Sequence, residues 1–327
     1  MTQRVAAVDC GTNSLRLLVA DVDLARGELR DVARRMEIVR LGQGVDRTGR
    51  LAPEALARTA GVLRDYADVI AATAARSVRM VATSATRDAS NTAEFARQVK
   101  EILGVAPEVL TGSEEARLSF TGATAELAGQ DTAHLRGPFL VADIGGGSTE
   151  FVLGVPGEPG VHAISVDIGC VRMTERHLPG DPPSHDEVAA ATTDIDAALD
   201  AVAGAVPVRQ ARTLIGLAGS VATVAGIALD LPAYDAARIH HARVSAADVH
   251  EVTASLLAQT RAVRAAIGVM HPGRVDVIGG GALILDRIMR RFGFGEVLAS
   301  EHDILDGIAW SLAAATSISG ISGDARP

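Results

Sequence analysis

The chain has 327 residues, 48% of them hydrophobic and 22% charged, which provides for a sizeable core and makes two domains the natural expectation. Its net charge is −9 with no run of five basic residues, which argues against non-specific binding to nucleic acid or to an anionic membrane. Any polyanion it handles must be met by a local basic patch or by bound cations. Only Cys10 and Cys170 are present, too few for a disulfide framework, so a reducing cytoplasm is expected. Neither a signal peptide nor a membrane-spanning apolar run is expected.

From the N-terminus, Val5 to Val8 reads as an apolar strand ending in Asp9. The turn Cys10-Gly11-Thr12-Asn13-Ser14 follows, then a second strand, Leu15 to Ala20, carrying Arg16. Glu28 to Val39 supplies a third strand. Pro53 opens a helix with Leu56, Leu63, Ala67 and Ile70 on one face. Val78 to Ala82 is a buried-type strand running into a Ser/Thr-rich turn, Thr83 to Asp88. Asn91 is placed to cap a helix striped by Phe95, Val99 and Ile102 and stopped at Gly104. A short strand at Glu108 to Leu110 precedes a helix expected to begin at Ser113.

The second half opens with an apolar strand, Phe139 to Ala142, then Asp143, the turn Gly145-Gly146-Gly147-Ser148 and a strand from Glu150 to Leu153. A third strand spans Val161 to Val166. Ser184 and Glu187 are spaced as a capping box for an alanine-rich helix. Thr213 to Leu217 is a strand leading into a helix at Ala218 to Thr223, and Ser245 starts another with Val249, Val252 and Leu256 on one face. Val275 to Ile278 reads as a strand meeting the turn Gly279-Gly280-Gly281. A last helix is expected from about Asp303 to about Ala315, with a loose tail over 318–327. Strand–helix alternation of this kind gives an α/β fold.

The two glycine turns say nearly the same thing. Aligning Asp9 with Asp143 puts Gly11 on Gly145, Ser14 on Ser148 and Arg16 on Glu150, so a duplicated domain is expected. Consecutive glycines let the backbone bend sharply and bare its N–H groups, which makes an anion site. In such a site Asp143 could hold a metal ion, Ser148 could donate to a phosphate oxygen, and Glu150 could act on water or metal. A ligand-free hairpin is the alternative. No turn is followed by Lys-Ser or Lys-Thr, and strand rather than helix follows the first two, which excludes the P-loop and the dinucleotide fingerprint.

Other residues carry two readings each. Glu114 and Glu115 are explained by the dipole of the helix they open, worth ~0.3–1 kcal/mol. Arg87 could grip a phosphate or pair with Asp88. Arg16, Arg172, Arg238, His240, His241 and Arg274 could line a polyanion path, or be solvated surface residues. Cys10 and Cys170 read as small buried apolar residues.

Taken together, the segments Ala7–Leu18, Ala82–Asn91, Thr111–Leu118, Val141–Glu150, Gly169–Glu175, Tyr234–Asp235 and Met270–Asp276 resemble, in order, the exopolyphosphatase/guanosine pentaphosphate phosphatase family. The resemblance implies duplicated ribonuclease-H-like domains of the actin/sugar-kinase/chaperone ATPase superfamily, with an active-site cleft between them. Residues 1–125 and 126–302 would form the domains, and a helix over about 303–317 would pack back on the first. It further implies a catalytic base at Glu115, other active-site residues at Arg87, Asp143 and Glu150, and phosphate-binding turns at Gly11–Ser14 and Gly145–Ser148, with Arg16 beside the first. Asp143, Glu150 and Asp9 would hold Mg²⁺ or another divalent cation; a monovalent cation is a further candidate.

The activity implied is exopolyphosphatase, releasing orthophosphate from the chain end of inorganic polyphosphate. Longer members carry further helical domains, so shorter chains are the expected substrate. Guanosine pentaphosphate is the alternative substrate, and the expected assembly is a cytoplasmic homodimer that binds neither nucleic acid nor membrane. Gly279-Gly280-Gly281-Ala282 looks more like the nucleotide-binding turn of the ATPase relatives, which keeps a kinase or ATPase open beside a non-catalytic binding module.

Overall fold

The computed structural model describes residues 2–128, 135, 137–158 and 160–321, the last five as backbone only. The chain divides into two units, Met1–Asp131 with Asp303–Pro327, and Thr132–His302. No helix among the described residues is long and apolar enough to cross a membrane.

In the first unit β1 (Gln3–Cys10), β2 (Ser14–Asp23) and β3 (Glu28–Ile38) form an antiparallel meander. Next, β4 (Ser77–Ala82) pairs parallel to β1, and β5 (Glu108–Val109) parallel to β4. The sheet order is therefore β3-β2-β1-β4-β5. Period-two alternation gives the sheet two apolar faces. Ala6, Val8, Leu15, Leu17 and Val19 pack with Leu56, Leu63, Tyr66, Phe95 and Val99 from the helices Pro53–Ala72 and Thr92–Leu103. Val5, Ala7, Leu18 and Ala20 pack instead with Ile304, Leu305 and Ile308 of the C-terminal helix, Ile304–Ile321.

That C-terminal helix also lies against the helix Gly112–Thr124 at two glycines. A Cβ on Gly122 would sit 1.8 Å from the carbonyl oxygen of Asp303, and one on Gly307 would sit 2.0 Å from that of Leu118. Only hydrogen side chains permit this approach.

The second unit repeats the topology. Here β6 (Phe139–Ile144), β7 (Thr149–Gly154) and β8 (His162–Val166) form the meander, and β9 (Thr213–Leu217) runs parallel to β6. An edge strand, β10 (Arg243–Ser245), pairs antiparallel with β11 (Glu296–Ala299), which lies parallel to β9. The order β10-β11-β9-β6-β7-β8 contains the first sheet's pattern, read from the other edge, plus one strand. Two sheets built this way are duplicated ribonuclease-H-like units. Phe151 of β7 meets Phe292 of the helix Ile278–Phe292 edge-on, with ring centroids 6.3 Å apart.

Several local expectations are corrected. Thr83 to Asp88 is not an open turn, because Ser84–Asp88 forms a short helix. Asn91 stands at the N-cap as expected, but its side chain makes no capping bond; its amide instead brackets the backbone of Leu51, accepting from the N–H at 2.8 Å and donating to the carbonyl at 3.1 Å. No strand forms at Val275 to Ile278: Pro272–Arg274 is a 3₁₀ turn, and Gly279 to Gly281 are the first turn of a helix. A Cβ on Gly280 would lie 2.9 Å from both the Cys170 carbonyl oxygen and Thr174 Oγ1, and one on Gly281 would lie 2.1 Å from Ser220 Oγ. These glycines serve close helix packing, not a ligand turn. The expected tail is helical through Ile321, and 322–327 lie outside the described residues. Residue Pro159 lies outside them too.

The contact at Gly122 and Gly307 makes a direct prediction. Gly122→Ala and Gly307→Ala should each destabilise the protein by about 1–3 kcal/mol, because neither helix can retreat without disturbing the sheet beneath. Thermal melts of the two variants, read by circular dichroism, measure the loss.

Candidate active site

In the first unit the hairpin between β1 and β2 holds the Gly11–Ser14 turn. Gly11 N–H closes it on Ser14 O at 2.9 Å. The turn's carbonyls are taken by the segment after β3: Val39 and Arg40 N–H donate to Asn13 O, and Gly42 N–H to Thr12 O. Among the described residues the amides of Thr12 and Asn13 have no hydrogen bond, and this leaves two donors for an anion. Thr12 Oγ1 lies 2.8 Å from Ser84 Oγ, which ties the turn to the short helix carrying Arg87.

Arg87 Nη1 donates to Leu110 O at 2.9 Å and to Glu115 Oε2 at 3.1 Å. Sequence treats Glu114 and Glu115 alike, but the helix separates them. Thr111, not Ser113, is the cap residue, and Glu114 completes its capping box, with hydrogen bonds from Thr111 holding the Glu114 carboxyl below its ordinary range. Glu115, one residue on, is buried against Arg87. The helix-end explanation therefore accounts for Glu114 and leaves Glu115 to be explained.

Asp9 and Arg16 are cross-strand partners in the first unit. Arg16 donates through Nε and Nη2 to Asp9 Oδ2, at 3.0 and 2.6 Å, and through Nη1 to Asp303. Asp9 Oδ1 is buried with no partner among the described residues. Burial pushes the Asp9 carboxyl above its ordinary range, against the pull of Arg16.

The second unit repeats the hairpin with different chemistry. Gly145 N–H closes the turn on Ser148 O at 3.0 Å. Its carbonyls are consumed by the helix Cys170–His177: Cys170 N–H donates to Gly145 O, Val171 and Arg172 N–H to Gly146 O, and Arg172 Nε to Gly147 O at 2.6 Å. Among the described residues the amides of Gly146 and Gly147 have no hydrogen bond. Gly169 approaches so closely that a Cβ there would sit 2.4 Å from the Gly146 carbonyl. Here Asp143 stands opposite Glu150, both buried, with Ser165 Oγ donating to Glu150 Oε1 at 2.6 Å. Two carboxylates directly across a strand pair are unfavourable neighbours, and their all-oxygen set could hold a hard divalent ion.

Of the remaining basic residues, Arg172 holds its own glycine turn, as described. Arg274 packs over Gly219, where a Cβ would sit 2.3 Å from its Cζ. His240 stacks on His241 with centroids 3.8 Å apart and accepts from Glu301 N–H at 3.2 Å, while the Arg238 N–H is capped by Asp235. Both cysteines are free and buried, as expected, and burial pushes both thiols up. Sequence reasoning gave Asp303 no role beyond a helix start. Its three-residue spacing to Asp306 is a capping signal, but nothing in the sequence ties it to Arg16, 287 positions away.

Residues 18–315 match the Ppx/GppA phosphatase family. Over 321 residues the chain is 52% identical to Exopolyphosphatase 2 of Mycobacterium tuberculosis, an alignment covering 95% of this chain and 98% of that relative. It is 33% identical over 236 residues to a guanosine-5'-triphosphate,3'-diphosphate pyrophosphatase of Pseudoalteromonas atlantica, covering 72% of this chain and 45% of that one. Among solved structures, an exopolyphosphatase-like protein superposes with a TM-score of 0.89 at 43% identity, covering 94% of this chain and 96% of that one.

Two outcomes follow from the geometry. In chelator-treated protein, Glu150→Gln should raise Tm, because it removes a like-charge pair worth roughly 0.2–1 kcal/mol; calorimetry with and without chelator reads this. Neither cysteine should react with a thiol reagent at pH 8 in the native state, and both should react once the chain is unfolded.

Proposed function

Since the chain belongs to the Ppx/GppA phosphatase family, we propose that it hydrolyses the terminal phosphoanhydride of inorganic polyphosphate and releases orthophosphate. One observation carries the reading from geometry: turn amides without partners and a buried carboxylate gripped by an arginine share the first unit. The 52% identity to an exopolyphosphatase supports the substrate.

The chemistry asks for little covalent help from the protein. Phosphoryl transfer spreads charge over three oxygens, and catalysis is mostly positioning and electrostatic stabilisation. In the first unit, Gly11 to Ser14 bind phosphate through the amides of Thr12 and Asn13. Arg87 supplies positive charge and holds Glu115, whose carboxylate orients the attacking water and takes its proton. In the second unit, Gly145 to Ser148 form the matching phosphate turn. Asp143 and Glu150 would hold Mg²⁺ there, and Asp9 is the candidate carboxylate of the first unit. When bound, the cation supplies charge that the acidic chain otherwise lacks. Free, buried cysteines support a reducing, cytoplasmic setting.

A second reading keeps the site and changes the substrate to guanosine pentaphosphate; the Pseudoalteromonas relative favours it. The kinase or ATPase reading loses its main support, since Gly279 to Gly281 are packed in a helix against Cys170, Thr174 and Ser220.

Phosphate release from polyphosphates of several lengths, guanosine pentaphosphate and ATP, with and without Mg²⁺, tests the proposal. Release from polyphosphate should require the divalent cation, and ADP formation alone would overturn the assignment. Glu115→Gln should lower kcat by roughly 10²–10⁴-fold while polyphosphate binding is largely kept. Full activity in that variant would remove Glu115 from the chemistry.

A further inference from the structure

Asp303 is buried at the start of the C-terminal helix, and every part of it is engaged. Leu305 N–H donates to its Oδ1 at 2.9 Å, and its own N–H donates to Asp306 Oδ2 at 3.0 Å, a reciprocal helix cap. Its Oδ2 accepts from Arg16. Its carbonyl is the atom against which Gly122 packs. One residue thus touches the helix that carries Glu115 through its backbone, and the Asp9–Arg16 pair beside the Gly11–Ser14 turn through its side chain.

The charges show what Arg16 is doing. A single guanidinium faces two buried carboxylates, so its charge is already more than neutralised and a phosphate would have to compete with both. Arg16 is thereby better suited to fixing Asp9 than to gripping substrate. With Nε and Nη2 on Asp9 and Nη1 on Asp303, its plane is pinned on two sides, and a rigid planar fork transmits that constraint.

We infer that Asp303 is a positioning residue: it sets the Gly11–Ser14 turn and its Asp9 carboxylate relative to Glu115, acting through Arg16 and Gly122. This rests on the polyphosphatase reading only for its catalytic consequence, not for its geometry. The neighbouring strut provides a control. Asp306 Oδ1 accepts from Arg34 Nη2 at 2.5 Å, pinning the same helix to β3; Asp306 reaches the Asp303 backbone N–H but not the Asp303 side chain, Arg16 or Asp9.

The decisive variant is Asp303→Asn. Asparagine caps helices as well as aspartate, so the helix start is kept while the negative charge that faces Arg16 is lost. Its kcat on polyphosphate should fall roughly 10- to 100-fold, the range expected when reacting groups are misplaced by about an ångström, with Tm nearly unchanged. Arg34→Gln should show the reverse, a lower Tm with kcat within about two-fold of the parent. Hydrogen exchange supplies a readout independent of turnover: the bonded amides that hold the turn, Gly11 to Ser14 O and Gly42 to Thr12 O, should exchange faster in Asp303→Asn and not in Arg34→Gln. Wild-type kcat with unchanged exchange in Asp303→Asn would overturn the inference, as would a lower KM at constant kcat, which would mean that Arg16 had been freed for substrate. Equal loss of kcat in both variants would reduce Asp303 to a structural anchor. If the wild type released no phosphate from polyphosphate, the functional reading would fail, while the exchange comparison would still decide the positioning role.

Discussion

Each unit depends on one constraint, the need to satisfy the carbonyls of its first hairpin turn. A buried or half-buried backbone carbonyl without a partner is costly, so the fold must supply donors close to the turn. In the first unit they come from Val39, Arg40 and Gly42, just beyond the third strand. In the second they come from the first turn of the helix Cys170–His177 and from the side chain of Arg172. The solutions differ in sequence and agree in effect. Once the carbonyls are spent inside the fold, the amides of Thr12, Asn13, Gly146 and Gly147 are what remain as donors. The close approaches at Gly42 and Gly169 follow from the same demand, because the donors must come within hydrogen-bonding distance of a turn that has little room.

The backbone is duplicated, whereas the charge is not. At the position facing the first aspartate, the first unit has Arg16 and the second has Glu150. An aspartate facing arginine is neutralised by the protein itself, and here a second aspartate is drawn in as well. An aspartate facing glutamate places two acceptor carboxylates side by side, a pairing that a hard cation suits. Divergence at one cross-strand position is enough to give one hairpin an internal brace and the other a pair of carboxylates facing each other.

Much of this was legible in the sequence for physical reasons. The hairpins were, because apolar strands flanking Asp-x-Gly-x-x-Ser admit few other readings. The Ser184 capping box and the Gly104 helix stop carry their geometry in single residues, and both form as expected. The failures cluster where glycine is ambiguous. Gly279 to Gly281 have the composition of a ligand turn, and only the positions of Cys170, Thr174 and Ser220 show that they are a helix face. Gly122 and Gly307 gave no signal, since a helical glycine admits a neighbour without naming it. Strands β10 and β11 are three and four residues long, too short for a period to register. Glu115 could be told from Glu114 only through the family resemblance, because both satisfy the same helix-end rule and only packing against Arg87 separates them.

The role of Asp303 was out of reach for a different reason. Its capping function is local and readable, but its hold on Arg16 depends on the chain returning to the first sheet after building an entire second unit. Long-range closure of this kind costs chain entropy that local interactions do not offset, so it must be secured by contacts made on arrival. The C-terminal helix provides them in three forms: apolar packing of Ile304, Leu305 and Ile308 on the sheet, the Asp303 and Asp306 ion pairs to β2 and β3, and the glycine contact with the Glu115 helix. Apolar packing alone would tolerate sliding of the helix along the sheet. The ion pairs and the Gly122–Asp303 contact have fixed geometry and do not. The return of the chain thereby does more than complete the core, because it determines where the groups at the front of the first unit are held.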